Sequence, residues 1–358
     1  MVREVSLKNF KCFEEISLRL GLLNVFSGLN GMGKSTIIQS LLLIQQSQQQ
    51  GYLPKQICLN GELVNIGQGK DLLYENAKED NIIIAIKTDL DDFYYDIKYS
   101  EEADVLSNIS GELRNIILSD GNFEYLNAER SAPKVIYPKS SFFVETRHNL
   151  GVNGEYTVHY LLKHQADSLV WGQEKYSDNT LKEAVQYWLH EVSPNIKLDI
   201  DDIQNTDLTK IGYYYTDKGR TGNYRPTNIG FGVSYILPVI VALLKAKKGD
   251  IVIIENPEAH LHPQGQRRMG QLIAECCSNG VQVIVETHSD HVLNGIRISV
   301  KNNIVSHTDV RLFFVEKKIF ENKCVHNVQE PHIFSSGKLD FWPDGFFDEW
   351  EKALDELI

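Results

Sequence analysis

Gly28-Leu29-Asn30-Gly31-Met32-Gly33-Lys34-Ser35-Thr36 decides how the rest of the chain is read. It fits the pattern of a glycine, four residues, then Gly-Lys-Ser/Thr in full, and it stands between a short apolar strand at 22–26 and a helical stretch at 35–46 that is apolar at Ile37, Ile38, Leu41, Leu42 and Ile44. Each residue type answers a need of phosphate chemistry. Glycines let backbone N–H groups turn inward around phosphate oxygens. The N-terminus of the following helix adds partial positive charge. Lys34 is placed to neutralise β- and γ-phosphates, and the Ser35 hydroxyl to ligate Mg²⁺. Asn30, Gly31, Gly33 and Thr36 complete the cradle, so ATP with Mg²⁺ is the expected ligand pair.

A phosphate loop needs an acid at the end of a second strand. Ile251-Val252-Ile253-Ile254-Glu255 supplies four apolar residues and then a carboxylate. Many buried strands end this way, and it is the pairing with 28–36 that makes the acid meaningful. From 230 onward a helix at 233–245, the strand at 251–255, a helix at 264–278 and strands at 281–286 and 309–316 alternate, which predicts a parallel sheet with helices on both faces. Before that, 2–7 and 16–20 predict an antiparallel element. Short alternating runs between 57 and 137, such as 81–87 and 93–99, predict strands with one helix near 104–118. The pattern of 155–192 is helical, with Tyr160, Leu161, Leu162, Leu169, Val170, Val185, Trp188 and Leu189 inward, and 196–216 returns to strand. The run Gln45 to Gln50 reads as a solvated helix end closed by Gly51. No heptad run and no repeat of 20–50 residues is present.

The chain has 358 residues, 42% hydrophobic and 23% charged, which is enough to bury a sizeable core. No apolar run approaches the roughly 20 residues needed to span a bilayer, and the first residues lack a signal-peptide core. A soluble cytoplasmic protein with no membrane partner is expected. The five cysteines form no CxxC pair and read as reduced and structural. A net charge of −12 weighs against non-specific nucleic-acid binding, which needs Lys and Arg on phosphates, and leaves only a local basic groove open.

Three further stretches stand in the order and spacing of ABC-type ATPases. Asn228-Ile229-Gly230-Phe231-Gly232-Val233-Ser234 resembles the signature loop without its usual Leu-Ser-Gly-Gly-Gln wording, and a plain helix cap is the other reading. The resemblance implies that Gly230, Gly232 and Ser234 face the γ-phosphate held by a partner subunit. Glu286-Thr287-His288-Ser289-Asp290 resembles the switch-histidine loop, with His288 on the γ-phosphate. Glu255-Asn256-Pro257-Glu258-Ala259-His260-Leu261-His262-Pro263 resembles the Walker B and D-loop of SMC/RecF-like members. Here Glu255 replaces the usual Asp and Asn256 the usual catalytic Glu. That assigns Glu255 to the metal's water shell and Glu258 to base or water-positioner, and it puts the hydrolysis rate in question. His260, His262, His288 and His291 also have metal-ligand spacings, although the loop positions already carry roles.

Lys8-Asn9-Phe10-Lys11-Cys12-Phe13 resembles the SMC/RecF opening, in which Lys11 reaches the nucleotide; a solvated lysine is the alternative. Gln68 is the candidate Q-loop glutamine at the metal. The stretch Tyr125-Leu126-Asn127-Ala128-Glu129-Arg130-Ser131-Ala132-Pro133, the Glu-Asn-Pro-Glu wording and the tail 341–349 together resemble a prokaryotic family of stand-alone ABC-type ATPases with a small C-terminal domain of unknown function, whose members often occur in antiphage or mobile-element loci.

The resemblance implies an α/β ABC-ATPase head: 1–150 with the phosphate loop, an inserted mostly helical subdomain at 151–222, the remainder of the head at 223–318, and an aromatic module at 319–358. The cluster Phe341, Trp342, Phe346, Phe347 and Trp350 reads as packing onto the head, or as a partner dock. The implied function is an ATPase switch, a homodimer sandwiching two ATP or an assembly of such dimers, that controls a separate effector nuclease; too few residues follow Glu255 for a fused one. A RecF-like DNA-binding repair ATPase and a slowly hydrolysing scaffold are the alternatives.

Overall fold

The computed structural model describes residues 1–110, 120–169, 171–172, 175–217, 219–320 and 323–357. The chain divides into two compact units, one of 1–119, 311–332 and 341–358, the other of 120–310 and 333–340. The inserted segment expected at 151–222 therefore lies wholly within the second unit.

In the first unit β1 (Val2–Phe10) and β2 (Phe13–Arg19) form a hairpin whose tight turn puts Asn9 and Lys11 at positive φ. β3 (Leu23–Ser27) is buried along its whole length, as expected of a strand without a polar face. α1 (Lys34–Gln49) follows the glycine-rich turn. β4 (Gln56–Cys58), α2 (Gly69–Leu72), β5 (Asn81–Thr88), β6 (Asp92–Lys98) and β7 (Val105–Ser107) come next. An antiparallel sheet runs β2-β1-β5-β6, with Ile82, Ile84 and Ile86 turned to its buried face by the two-residue period of a strand.

Two expectations change here. β7 occupies the start of the helix foreseen near 104–118, and 111–119 lies outside the described residues. The glutamine run is not a solvated end: Gln45 and Gln46 are buried. Gln46 Oε1 accepts from the N–H groups of Leu63 and Val64, both at 3.0 Å, and its Nε2 donates to the Cys58 carbonyl at 3.2 Å. A side-chain amide offers both donor and acceptor, so it can stitch an irregular segment that has no ladder of its own.

The second unit holds β8 (Phe123–Leu126), β9 (Tyr137–Pro138), α3 (Thr157–His164), α4 (Leu181–Val192), β10 (Ile196–Ile203), β11 (Leu208–Tyr215), α5 (Phe231–Lys245), β12 (Ile251–Glu255), α6 (Pro263–Ser278), β13 (Gln282–Glu286) and α7 (Asp290–Lys301). Strands β13-β12-β8 are parallel, with Glu255 opposite Glu286 and Ile254 opposite Leu126, while β10-β11-β9 are antiparallel. The helical stretch 155–192 forms two helices, α3 and α4. Leu169 is buried in the loop between them, and Val170 lies outside the described residues. α4 starts at Thr180, whose hydroxyl accepts the Glu183 N–H, and it buries Leu181, Val185, Trp188 and Leu189, one helical face, in packing against α5 and α6.

α6 and α7 pack more tightly than side chains allow. A Cβ added to Gly270 would lie 2.1 Å from the Val292 carbonyl oxygen, and one on Gly295 would lie 2.2 Å from that of Arg267. The last elements, β14 (Val310–Phe320), β15 (Lys323–Gln329) and α8 (Glu349–Leu357), return to the first unit. There β14 stands between β15 and β3, and Phe26 stacks on Phe313 at 4.7 Å. Of the aromatic tail, Phe346 is fully buried edge-on to Phe314 at 5.5 Å, while Phe341 and Trp342 stay nearly half exposed. Among the described residues no helix is long and apolar enough to cross a membrane.

Gly295→Ala must force α6 and α7 apart. Urea unfolding should show a loss of about 1–3 kcal/mol, the usual cost of overpacking a well-filled contact.

Candidate functional site

In the first unit, three glycines bend the 28–36 turn through left-handed backbone: Gly28 at φ 140°, Gly31 at 76° and Gly33 at 101°. Two of them also need the missing side chain. A Cβ on Gly28 would lie 2.2 Å from the Val315 carbonyl oxygen, and one on Gly33 would lie 2.5 Å from Cys12 Sγ. The turn wraps the Lys34 ammonium, which is buried and donates to the carbonyls of Gly28 and Leu29, both at 2.9 Å. Asn30 and Gly31 are exposed at the crest, Ser35 is half-buried, and Thr36 is buried with its hydroxyl accepting from Cys12 Sγ at 3.6 Å. No side chain caps α1 and no acid stands in its first turn. The positive end of that helix thus carries no side-chain cap or acid of its own first turn.

Lys11 is half-buried, not solvated. Its Nζ donates to Gln39 Oε1 on α1 at 2.7 Å, and burial lowers its pKa. Its backbone N–H bonds the Leu72 carbonyl at 2.7 Å, which ties it to α2. Gln68 opens α2, and its N–H donates to Asp71 Oδ2 at 2.9 Å. The phosphate turn, Lys11 and the Gln68 segment are in this way joined within one unit.

In the second unit the acid strand is held from β8. Glu255 Oε1 accepts the Tyr125 hydroxyl at 2.9 Å and Oε2 the Ala128 N–H at 3.3 Å. Asn256 follows in left-handed backbone at φ 46°, with its N–H on the Glu286 carbonyl at 2.8 Å. Glu258, only 9% exposed, is clamped to the histidine loop: Oε2 accepts the Thr287 hydroxyl and Oε1 the His288 N–H, both at 2.8 Å. Burial raises the pKa of both carboxyls above 4.5, with these donors pulling the other way. With both oxygens engaged, Glu258 is a tie between two loops in this structure. His288 itself is exposed at the loop tip.

The signature-like stretch starts α5. Gly230 is exposed with open space around it, and a Cβ on Gly232 would lie 2.5 Å from the His260 carbonyl oxygen, so Gly232 is where the D-loop seats on the helix. Ser234 does not face outward with them. It lies one turn along on the buried stripe, and its Oγ is shut off from solvent.

The family described as "AAA domain, putative AbiEii toxin, Type IV TA system" matches residues 23–294. The chain belongs to this AAA-domain family of P-loop ATPases. A second family, "Protein of unknown function (DUF3696)", matches residues 305–357. The OLD nuclease of Thermus scotoductus is 23% identical over 327 residues, covering 81% of this chain, and the match spans only 59% of that protein's length. Two solved structures share the fold. An SMC head bound to the C-winged helix domain of ScpA is 14% identical, with a TM-score of 0.57 over 93% of this chain and 98% of that one. An Smc head with an extended coiled coil, bound to the C-terminal domain of ScpA derived from Pyrococcus furiosus, is 12% identical, with a TM-score of 0.52 over 99% of both chains. The α/β ABC-ATPase head expected from the motifs is the fold of this AAA-family chain.

The four histidines of this AAA-family chain go different ways. His260 packs against Phe231 and Tyr235, His262 accepts the Gln264 N–H as the N-cap of α6, His291 lies beside Asp290, and His288 sits at its loop tip. The sequence reading missed Tyr125, Arg130, Tyr235 and Thr287. Tyr125 and Arg130 fall in the 125–133 stretch, to which the motifs assign no role. The available signal was an arginine just after an apolar strand, where a charge must find buried partners.

Glu258→Ala strips the acceptor from two donors and should cost about 1–3 kcal/mol in urea unfolding. Glu258→Gln keeps the shape without the charge. A carboxyl whose pKa rises on folding stabilises the fold fully below its unfolded value and loses that contribution as pH climbs through the folded one. Glu258→Gln should therefore match the parent near pH 4.5 and become the more stable of the two as pH rises, read from unfolding curves across that range.

Proposed function

We propose that the chain binds ATP with Mg²⁺ and hydrolyses it slowly, using the nucleotide to close a two-fold dimer that controls a separate effector, a nuclease, in prokaryotic defence. The observation that carries the reading is the 28–36 turn, with three left-handed glycines, a buried lysine held by the turn's own carbonyls and an uncapped helix end. In this reading Lys34 and the turn's amides grip the phosphates, with Asn30, Gly31, Gly33 and Thr36 shaping the cradle. Ser35, Gln68 and Glu255 serve the metal. Mg²⁺ supplies charge neutralisation on the phosphate oxygens, and the protein supplies positioning. His288 addresses the γ-phosphate, Lys11 the nucleotide, and Gly230 and Gly232 the nucleotide of the mate.

The defence and nuclease parts take their support from the toxin wording of the family and from the OLD nuclease relative. A second reading, an ATP-bound scaffold that scarcely turns over, is favoured by Asn256 at the usual glutamate position and by the engaged oxygens of Glu258.

Lys34→Ala should weaken ATP binding at least about tenfold, the loss of one charge-assisted contact, measured by titration with a fluorescent ATP analogue; parental affinity in that variant overturns the reading. With Mg²⁺ and a non-hydrolysable ATP analogue, the parent chain should double its molar mass in light scattering, and a chain that stays monomeric while it binds the analogue rules out the dimer switch. Purified chain mixed with plasmid should leave the DNA intact, whereas cutting by the chain alone would place the nuclease in this polypeptide.

A further inference from the structure

The stretch 125–133 is not used by the ATPase reading, yet it wraps the acid strand. Tyr125 and Ala128 hold the Glu255 carboxylate. Arg130 holds the backbone beneath it: Nη1 donates to the Asn256 carbonyl at 3.0 Å and Nη2 to that of Glu255. Those carbonyls flank Asn256, where the chain turns left-handed, a conformation that asparagine adopts more readily than other non-glycine residues. Arg130 is only 5% exposed.

The other side of the guanidinium meets Tyr235 of α5, with its carbon 5.4 Å from the ring centre. The Tyr235 hydroxyl accepts the Arg130 backbone N–H at 3.1 Å and donates to the Ala128 carbonyl. The same ring lies 5.0 Å from His260 of the D-loop and 5.5 Å from Phe231 of the signature-like loop, which is 43% exposed. One side chain therefore joins the acid strand, the helix that opens at Gly230, and through Tyr235 the D-loop.

A neutral amide could satisfy the same two carbonyls with far less desolvation. A guanidinium adds what an amide lacks, a rigid planar fork and a permanent charge. Burial lowers its pKa to about 10, so it stays cationic at neutral pH, among Glu255, Glu258, Tyr125 and Tyr235. A fixed charge beside two carboxylates is more than a structural stitch needs.

We propose that Arg130 is a positioning residue for hydrolysis: its fork fixes the Glu255–Asn256 backbone and so aims the Glu255 carboxylate, and its contact with Tyr235 makes that aim depend on the signature loop and D-loop. This rests on the ATPase reading, because it assigns a second layer to the same acid.

The test uses the full chain and its Arg130→Lys, Arg130→Ala and Tyr235→Phe variants. ATPase turnover, affinity for a fluorescent ATP analogue and thermal midpoint are measured together. Arg130→Lys keeps a charge but loses the fork, and its kcat should fall about a hundredfold, the scale of a misplaced catalytic group, while ATP affinity stays within about twofold because the contacts of the 28–36 turn are untouched. Tyr235→Phe keeps the ring and loses the bridging hydroxyl; its kcat should fall about tenfold, the equivalent of one hydrogen bond. It decides the matter if the lysine variant does not fold. Guanidinium ion at non-denaturing concentration should restore part of the turnover of Arg130→Ala, which a loss of folding alone cannot do. Folded variants with parental kcat, or kcat and affinity falling together, overturn the proposal and leave the ATPase reading standing. A parent that binds ATP and never turns it over instead overturns the hydrolysis reading, and the proposal with it.

Discussion

A lysine ammonium shut away from water must find acceptors, and the 28–36 turn is built by that need. Carbonyls normally point away from a glycine-rich bend that collects N–H groups for an anion. Here Gly28 and Leu29 turn theirs onto Lys34. The left-handed glycines make this possible, because a Cβ at Gly28 or Gly33 would strike β14 or the β1–β2 turn. The strand before, the helix after and the hairpin alongside are thus fixed by one charge and the bend that contains it. In the proposed reading, the start of α1, which has no side-chain cap, is the end that a triphosphate would approach.

The second unit solves the opposite problem, that of buried negative charge. Glu255 and Glu258 each receive two donors from a segment other than their own, so each carboxylate doubles as a fastener. Glu258 ties the D-loop to the histidine loop, and Glu255 ties β12 to the segment after β8. A change in the charge or occupancy of either carboxylate is felt by two loops at once. Loops that must move when a nucleotide comes and goes are suited by ties of this kind, which cost little to exchange for water or ligand, unlike an apolar seam.

The parts legible in the sequence were those in which one residue type has one physical job. Gly28, Gly31, Gly33 and Lys34 announce their chemistry through spacing, and β12 through four apolar residues before an acid. The parts that were not legible depend on partners far along the chain. Gln46 has the composition of a solvated helix end, and only the 58–64 segment folded over it makes it a core residue. Leu169 shares the apolar pattern of its neighbours yet lies in a loop, because burial alone does not distinguish helix from loop. Ser234 looked like part of a polar helix start, but the spacing from Gly230 carries it round to the buried stripe of α5. Lys11 and Gln68 were singled out by resemblance alone, and the structure adds that they are anchored at opposite ends of α2.

Asn256 is the departure that most needs a physical account, and its surroundings supply one. It holds a left-handed backbone, which asparagine tolerates far better than most residues. It also follows Glu255, which stands directly opposite Glu286 in the parallel register. Two carboxylates already share that strand end, and a third at 256 would raise the cost of keeping any of them charged. An amide has the shape of glutamate's shorter relative without the repulsion. Under the proposed ATPase function, the expense is a general base, and it would fall on turnover more than on nucleotide binding, since that reading places the phosphate grip in the 28–36 turn. A switch that must stay closed for long periods is well served by that exchange. An asparagine here fits a protein whose use of ATP is to remain bound rather than to cycle quickly.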